Sequence, residues 1–282
     1  MRPKAILDLA QLGDNELFRE MAVGWSMVLR NVDRLMRGCD SLSDAKQYHC
    51  AGLLAVIAQE EASKALILTD AARCPRQPNL RFSGHLARFN DHLAKGLYAR
   101  GCDMSSADLE QFQGYLNHFR LEFYLDGPND VDWIFRSEVK QKREDMLYVD
   151  YVETDEGHYW SDPAQFEELD NRRPLVPGSV RMARALSEVG IATPEGLRAV
   201  AEIWRPASLS RKTQYGEFRR LNIATLKKLD ELCLLRDPPR NTLRLVADEW
   251  PFPMYDLDLT MQRVDRKDLR ERQQAWNLDL WG

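Results

Sequence analysis

The sequence contains few cysteines and no closely spaced pair of them. Its 282 residues include 5 cysteines, scattered along the chain and never arranged as Cys-x-x-Cys. This pattern excludes a zinc ribbon and disfavours a disulfide framework, so we expect reduced thiols in a cytoplasmic protein. The 15 glycines and 13 prolines are too few for a collagen-like or low-complexity chain.

Long apolar runs and common nucleotide motifs are also missing. The longest uninterrupted apolar run, Ala51 to Ala58, has eight residues, whereas a membrane-spanning helix needs about 20. Asp8 interrupts any apolar signal segment near the N-terminus. We therefore expect neither membrane insertion nor secretion. Because no Gly-x-x-x-x-Gly-Lys or Gly-x-Gly-x-x-Gly loop occurs, nucleotide chemistry is disfavoured and no cofactor is expected.

Charge is unevenly distributed, although the net charge is only −5. Residues 144–170 contain ten acids and no Lys or Arg, whereas residues 205–228 contain seven Lys or Arg and one acid, Glu217. Such runs are usually solvated surface. The alternative is that the basic block binds a phosphate backbone. Under that alternative, the RNA-binding candidates are Arg211, Lys212, Arg219, Arg220, Lys227 and Lys228.

Hydrophobic periodicity predicts a mainly α protein. We expect a domain boundary near Gly190, which divides the chain into a helical domain, 1–190, and a mostly helical extension, 191–282. Asp14 and Ser43 are expected to cap the first two helices, and Thr193-Pro194-Glu195 to begin a later one. The predicted helices span about 14–37, 43–73, 82–100, 105–126, 131–147, 179–189, 193–204 and 213–235. An irregular acidic loop is predicted at 150–177, a short strand at 243–246 and an extended segment at 250–253.

The predicted second helix carries charge where burial is expected. Residues 48–68 are apolar almost all round the helix, which is typical of a buried helix. Glu60, Glu61 and Lys64 interrupt this pattern, and buried charge is costly unless it is paired. One interpretation is an ordinary Glu60–Lys64 salt bridge on a partly exposed face. The other is a polar site inside the helical bundle.

The predicted third helix carries four basic or imidazole side chains on one stripe. His85, Arg88, His92 and Lys95 fall within about 80° of one face of a continuous helix. For His85 and Lys95, solvated surface is a sufficient explanation, and a metal site would need further ligands. RNA cleavage is a third possibility, because a histidine can accept the proton of a ribose 2′-OH near neutral pH. An Arg or Lys would then stabilise the charge that develops on phosphorus.

Three motifs, taken in their order along the chain, resemble those of the AbiV family of abortive-infection proteins. This family belongs to the HEPN-like helical superfamily. The resemblance covers roughly residues 17–189. Ser63 stands where the family has Gly, and only three residues separate Arg88 from His92 where HEPN ribonucleases have four to six. The three matching motifs are Glu60-Glu61-x-x-Lys64, Phe89-x-x-His92-x-x-Lys95, and Arg143 with Leu147-Tyr148-Val149-Asp150. The Tyr159-Trp160-Ser161-Asp162-Pro163 stretch that follows also fits.

The resemblance implies a HEPN-like helical bundle, a role in defence against phage, action on RNA and a homodimer. By motif position, the implied catalytic candidates are Glu61, Lys64, His92, Lys95, Arg143, Tyr148 and Asp150. The helical-face argument adds Glu60 and Arg88. In a metal-independent endoribonuclease, His92 would be the general base, Arg88 or Lys95 would stabilise the phosphorane, and Glu61 or Asp150 would orient the cation.

A non-catalytic effector is the alternative function. Such a protein would bind a phage-encoded protein or the translation machinery, and its charged cluster would only stabilise the bundle or the dimer. The acidic loop and the C-terminal extension would then be binding surfaces. The short spacing between Arg88 and His92 favours this alternative.

Overall fold

The computed structural model confirms a mainly α architecture. It describes residues 5–76, 81–126, 132–135, 139, 146–154, 157–163, 172–235, 237–263, 265, 267 and 271. Two 3-10 segments, Ala5–Gln11 and Arg88–Asn90, accompany the α-helices. The helices are α1 Asp14–Asp44, α2 Tyr48–Arg73, α3 Arg81–Ala87, α4 His92–Gly101, α5 Leu109–Phe119, α6 Gly178–Glu188, α7 Pro194–Trp204, α8 Tyr215–Glu231 and α9 Arg240–Glu249.

Helices α1 and α2 form the centre of the bundle. Trp25 is fully buried on the apolar face of α1 and donates a hydrogen bond from Nε1 to Thr69 Oγ1 on α2 at 3.1 Å. The predicted caps of both helices are wrong. Asp14 is the first helical residue, after Gly13, and makes no side-chain cap. Because α1 continues to Asp44, Ser43 lies in its last turn and donates to the Cys39 carbonyl.

The third predicted helix is broken into two. Between α3 and α4 lie the 3-10 turn and Asp91, whose backbone is extended. The Asp91 carboxylate accepts hydrogen bonds from the Leu93 and Ala94 amides at 2.8 and 3.2 Å. Aspartate stabilises a new helix start in this way, at the expense of a continuous helix. The four residues predicted on one stripe therefore lie on three different elements.

The segment after α4 contains strands that periodicity did not predict. The α5 helix begins later than expected, because Asp108 rather than Ser105 precedes it and accepts from the Gln111 amide. Strand β1 (Leu121–Asp126) pairs antiparallel with β2 (Asp132–Phe135). The helix predicted at 131–147 is therefore wrong over β2, where aromatic and β-branched residues favour a strand. Most of its remainder lies outside the described residues.

A β-hairpin lies within the predicted acidic loop. Strand β3 (Asp150–Thr154) pairs antiparallel with β4 (Gly157–Ser161), and Tyr151 lies directly opposite Trp160. Gly157, with φ of +113°, begins the second strand in a conformation that favours glycine.

The C-terminal helices follow the sequence more closely. Thr193 caps α7 as predicted, since its hydroxyl accepts from the Gly196 amide at 3.0 Å. Gln214 and Glu217 form a reciprocal capping box at the start of α8. The strand predicted at 243–246 is wrong, because these residues belong to the amphipathic helix α9, which begins after Pro239. A short strand β5 (Gln262–Arg263) pairs parallel with β1.

One hydrophobic cluster contains residues from both sides of Gly190. Trp204 of α7 and Trp250 after α9 pack with aromatic side chains of α8 and of the following segment. The two parts of the chain that meet at Gly190 therefore share one core. A domain boundary at Gly190 stays a prediction from the sequence. None of the helices in the described ranges is long and apolar enough to cross a membrane.

Candidate functional site

Helices α2 and α4 bring a carboxylate, an imidazole and an ammonium together. The Nδ1 atom of His92 lies 2.7 Å from Glu60 Oε2. Lys95 Nζ lies 3.4 Å from the same oxygen and 3.4 Å from His92 Nδ1. The His92 side chain is 51% exposed, whereas those of Glu60 and Lys95 are 13% and 7% exposed. We call these three residues the Glu60 cluster.

The break before α4 positions the Glu60 cluster. Because Asp91 caps the helix, His92 is its first residue and Lys95 follows one turn later on the same side. The amino end of a helix carries partial positive charge, which favours a nearby carboxylate such as that of Glu60. In the neutral imidazole, a proton on Nδ1 that is donated to Glu60 leaves the lone pair on Nε2.

Lys95 is an unusually buried cation. Burial lowers its pKa, while Glu60 acts in the opposite direction and the neighbouring charge of Lys64 lowers the pKa further. Solvated surface is therefore the wrong interpretation of Lys95. A cation at this position is held by the carboxylate beside it rather than by water.

Glu61 and Lys64 form a second pair beside the cluster. Lys64 Nζ lies 2.6 Å from Glu61 Oε2, at 22% and 17% side-chain exposure. The ammonium also lies 5.3 Å from the centre of the Phe89 ring. The Glu60–Lys64 bridge expected from i,i+4 spacing is replaced by this i,i+3 pair, and Glu60 is used by His92 and Lys95 instead.

His85 and Arg88 point elsewhere. His85 is 1% exposed, and its Nε2 lies 2.7 Å from the Ile67 carbonyl, to which it donates. Arg88 donates to the Met254 and Leu257 carbonyls of the C-terminal segment. The predictions of a common stripe and of solvent exposure at His85 are therefore wrong, because the chain turns between α3 and α4.

The third motif is only partly described. Arg143 lies outside the described residues. Tyr148 is 62% exposed just before β3, and Asp150 is the first residue of that strand. Met146 anchors this stretch beside α2, since its carbonyl lies 3.3 Å from His49 Nε2. No hydrogen bond within the described ranges joins Tyr148 to the Glu60 cluster.

The basic block lies on and before α8, and its cations differ in their partners. Arg219 pairs with Asp248 at 2.7 Å, and Lys228 pairs with Glu202 at 3.1 Å. Arg205, the first cation of the block, pairs with Asp14 at 2.6 Å. The other four side chains are exposed and form no ion pair with any residue that the structure describes. These four are Arg211, Lys212, Arg220 and Lys227.

Sequence reasoning missed a second charged cluster, further along α2 and α4. Asp70 Oδ1 accepts from Arg73 Nη1 at 3.0 Å, and its Oδ2 accepts from the Tyr98 hydroxyl at 2.8 Å and the Met254 amide at 2.7 Å. We call Asp70, Arg73 and Tyr98 the Asp70 cluster. The signal was present, because Asp70 and Arg73 also interrupt an apolar helix at i,i+3 spacing.

Arg73 is enclosed by aromatic rings from the C-terminal part of the chain. Its guanidinium carbon lies 4.0 Å from the ring centre of Trp204 and 3.5 Å from that of Trp250. The side chain is 1% exposed, and burial lowers its pKa to about 10, against the effect of Asp70. Arg73 therefore stays charged near neutral pH and stabilises the contact between α2 and the C-terminal helices.

The mainly helical architecture is that of a HEPN-like bundle. A family model described as AbiV, of HEPN type, matches residues 20–173, and the chain belongs to this family. Membership implies an abortive-infection role, that is, defence against phage. Neither the curated proteins nor the solved structures give a match. Across the described ranges, no group of three or more His, Cys, Asp or Glu residues could hold a metal ion.

Proposed function

We propose that the protein acts in phage defence as a metal-independent endoribonuclease, with the Glu60 cluster as its active site. The observation that carries the proposal is the half-exposed imidazole of His92, hydrogen-bonded by one carboxylate and flanked by one buried ammonium. This is the set of groups that internal transesterification of RNA requires: a base, a group that orients the base, and a cation.

His92 is the general base in this proposal. Its Nε2 accepts the proton of a ribose 2′-OH, and the oxygen attacks the adjacent phosphorus. The bond from phosphorus to the 5′-oxygen breaks, and that oxygen leaves as a hydroxyl with a proton taken from solvent, while the His92 imidazolium returns its proton to solvent. The products are a 2′,3′-cyclic phosphate and a 5′-hydroxyl, so no water is consumed in this step and no metal is needed.

Glu60 and Lys95 support the base and the reacting phosphate. Glu60 accepts the Nδ1 proton, which holds the imidazole in the tautomer with its lone pair on Nε2, and stabilises the imidazolium that forms. We assign Lys95 the role of stabilising the negative charge that develops on the phosphorane oxygens, because its ammonium lies beside His92. Arg88 is not assigned this role, since its guanidinium is bound to two backbone carbonyls.

The remaining predicted residues take supporting positions in the proposal. Glu61 and Lys64 form the adjacent ion pair, in which Lys64 contributes positive charge near Lys95 and Glu61 offsets it. The exposed cations Arg211, Lys212, Arg220 and Lys227 are the candidates for binding the RNA backbone at a distance from the reaction. A homodimer, an RNA target and a phage-encoded trigger are parts of the same proposal and rest on the family.

The test is RNA cleavage by the purified full-length protein in the presence of EDTA. End-labelled structured and single-stranded RNAs are incubated with the wild type, with and without extract from phage-infected cells. We expect fragments that end in a cyclic phosphate. His92→Ala should lower the rate by about 100-fold or more, and Glu60→Gln by at least about tenfold. His118→Ala, which removes a histidine from α5, is the matched control and should cleave as the wild type does.

Two outcomes contradict the proposal. Undiminished cleavage by His92→Ala, with the fold unchanged by circular dichroism, removes the Glu60 cluster from the chemistry. Intact RNA under every condition, with the wild type folded and the infected-cell extract supplied, favours the non-catalytic effector instead.

A further inference from the structure

The solvent-facing side of α1 carries an ordered row of exposed side chains. Its members follow one another at intervals of four, three, four, three and four residues, and they are Glu16, Glu20, Val23, Met27, Arg30 and Arg34. At 100° per residue they fall within about 80° of one face of the helix. All are exposed, and the apolar side chains of Val23 and Met27 are 57% and 58% exposed. We call them the α1 row.

The α1 row is symmetric in position and opposite in charge about its midpoint, which is Trp25. Its members form pairs at equal distances before and after this residue, namely Glu16 with Arg34, Glu20 with Arg30 and Val23 with Met27. An acidic end therefore mirrors a basic end, and an apolar centre lies between them. When two such helices pack antiparallel about a twofold axis, each surface meets the same surface of the other copy. Every acid of the row then faces an arginine.

Contacts within one copy do not account for these charges. The side chains of Glu16, Glu20 and Arg30 form no ion pair or hydrogen bond with any residue in the described ranges, and Arg34 donates to Asn31 of the same helix at 2.8 Å. Like charges four residues apart destabilise a helix, and both the acids and the arginines have this spacing. The helix dipole acts within the first and last turns, and the two arginines and Glu20 lie outside both.

The centre of the row is shaped to receive an apolar side chain. A groove of about 450 Å³ runs beside Val23 and Met27, with Ala22, Ser26 and Pro194 of α7 along its walls. In the antiparallel arrangement Met27 of one copy faces Val23 of the other, and its flexible side chain lies at the mouth of this groove. The alternating intervals of three and four residues average 3.5, which is the repeat that keeps two packed helices in contact along one seam.

Neighbouring charges on α1 are compatible with this arrangement. Arg19 mirrors Asn31 about the midpoint, and Arg37 lies beyond the paired stretch, so no two arginines of α1 oppose one another. Asp33, the acid nearest in sequence to Arg34, is held by Arg184 of its own copy at 2.7 Å.

The two ends of the row select the occupant. A polyanion such as RNA would match Arg30 and Arg34, but Glu16 and Glu20 on the same face would repel it. A second copy of the chain satisfies both ends at once.

We propose that the α1 rows of two copies pack antiparallel and form the interface of a homodimer. The contact spans about 27 Å of helix and contains each Glu–Arg pair twice, around a centre of Val23 and Met27 from both copies. This inference rests on the homodimer of the proposed function and names its surface. It is independent of RNA cleavage, because no member of the row belongs to the Glu60 cluster.

The test is sedimentation velocity of the full-length protein at several concentrations. We expect the fraction of dimer to rise with concentration and to fall as salt is added. Glu20→Arg and Arg30→Glu each place like charges opposite one another twice, so each should weaken dimerisation by at least about tenfold. Glu231→Arg reverses the same charge at the exposed end of α8 and is the matched control. It should dimerise as the wild type does.

Exchange of the charges tests the antiparallel register. The double variant Glu20→Arg/Arg30→Glu pairs opposite charges again and should dimerise about as well as the wild type. An equimolar mixture of the two single variants should form a mixed dimer more tightly than either variant associates with itself, because every charge then meets its opposite. Circular dichroism checks that each variant is folded, and recovery in the mixture itself excludes misfolding as the cause of dissociation.

Four results would overturn the proposed interface. A wild type that stays monomeric at every concentration contradicts the homodimer as well, whereas the RNA cleavage assay still tests the chemistry. A dimer that neither single variant weakens lies on another surface and leaves the homodimer standing. A double variant that stays dissociated, with no recovery in the mixture, contradicts the pairing of Glu20 with Arg30. Loss of RNA binding in Arg30→Glu, with dimerisation unchanged, would assign the arginines to RNA.

Discussion

Helices α2 and α4 carry two charged clusters that differ mainly in their access to water. Asp70 follows Glu60 by ten residues, or about 15 Å along α2. In the Asp70 cluster, Arg73 is 1% exposed and every oxygen of the carboxylate has a partner. In the Glu60 cluster, His92 is 51% exposed. A carboxylate paired with a cation therefore stabilises the fold at one end of the two helices, and a comparable pair can reach a substrate at the other.

The difference arises from what covers each end. The C-terminal segment lies over the Asp70 cluster, where Trp250, Met254 and the Pro251 carbonyl contact Asp70 or Arg73. The Glu60 cluster keeps His92 open to solvent. A fully enclosed charge pair carries a large desolvation cost and resists the loss of either partner, whereas a half-exposed group can exchange protons with a ligand. Substitutions at the two ends should therefore separate stability from activity.

The largest effect is expected at Asp70. Asp70→Ala would leave the Arg73 guanidinium buried without its carboxylate and would remove the acceptor for Tyr98 and the Met254 amide. We expect the free energy of unfolding to fall by about 3–5 kcal/mol, measured by urea denaturation. The double variant Asp70→Ala/Arg73→Met is the control, and it should recover part of this loss because no buried charge remains. A single variant as stable as the wild type would show that the cluster is not structural.

The second-largest effect is a pH dependence of the free energy of unfolding that arises from His85. Burial lowers the pKa of His85 from 6.5 to about 4. As the pH falls through this interval, the unfolded chain binds a proton that the folded chain does not. The contribution of the neutral imidazole to the free energy of unfolding is therefore fully present above pH 6.5. About 3 kcal/mol of it is lost as the pH falls towards 4.

His85→Phe should flatten this pH dependence. The measurement is urea denaturation of the wild type and the variant at several pH values between 6.5 and 4. The variant also loses the hydrogen bond to the Ile67 carbonyl, so the informative quantity is the slope and not the absolute stability. Equal slopes in the two proteins would contradict the assignment of a buried, neutral imidazole.

The smallest effect on stability is expected at Lys95, where the contrast between stability and RNA cleavage should be largest. Its burial makes the charge costly, and Glu60 keeps its hydrogen bond to the half-exposed His92 when Lys95 is removed. Lys95→Met should therefore leave the free energy of unfolding unchanged or raise it by up to about 1 kcal/mol. The same substitution should abolish RNA cleavage, because no cation then lies beside His92. Lys46→Met, at an exposed position after α1, controls for the loss of one lysine. A marked loss of stability in Lys95→Met would assign the Glu60 cluster a structural role.

Several features of the protein could be predicted from local spacing. The cap, proline and acid at 193–195 began a helix where expected. The charges of Glu60, Glu61 and Lys64 in an apolar helix indicated a polar site, and the motifs indicated the AbiV family, which the family model confirms. The β3–β4 hairpin was missed, because acidic and turn-forming residues in 150–161 obscured its aromatic alternation.

Composition and local spacing were enough to predict the helical class, the family and the presence of charge inside the bundle, because these depend on contacts within a few residues. The tertiary structure decided which charges meet. His92 reaches Glu60 across 32 residues only because Asp91 ends one helix and begins another. Arg73 is enclosed because α7 and the segment after α9 return to α2. Such pairings depend on how helices pack, and packing is set by the whole core rather than by any local pattern.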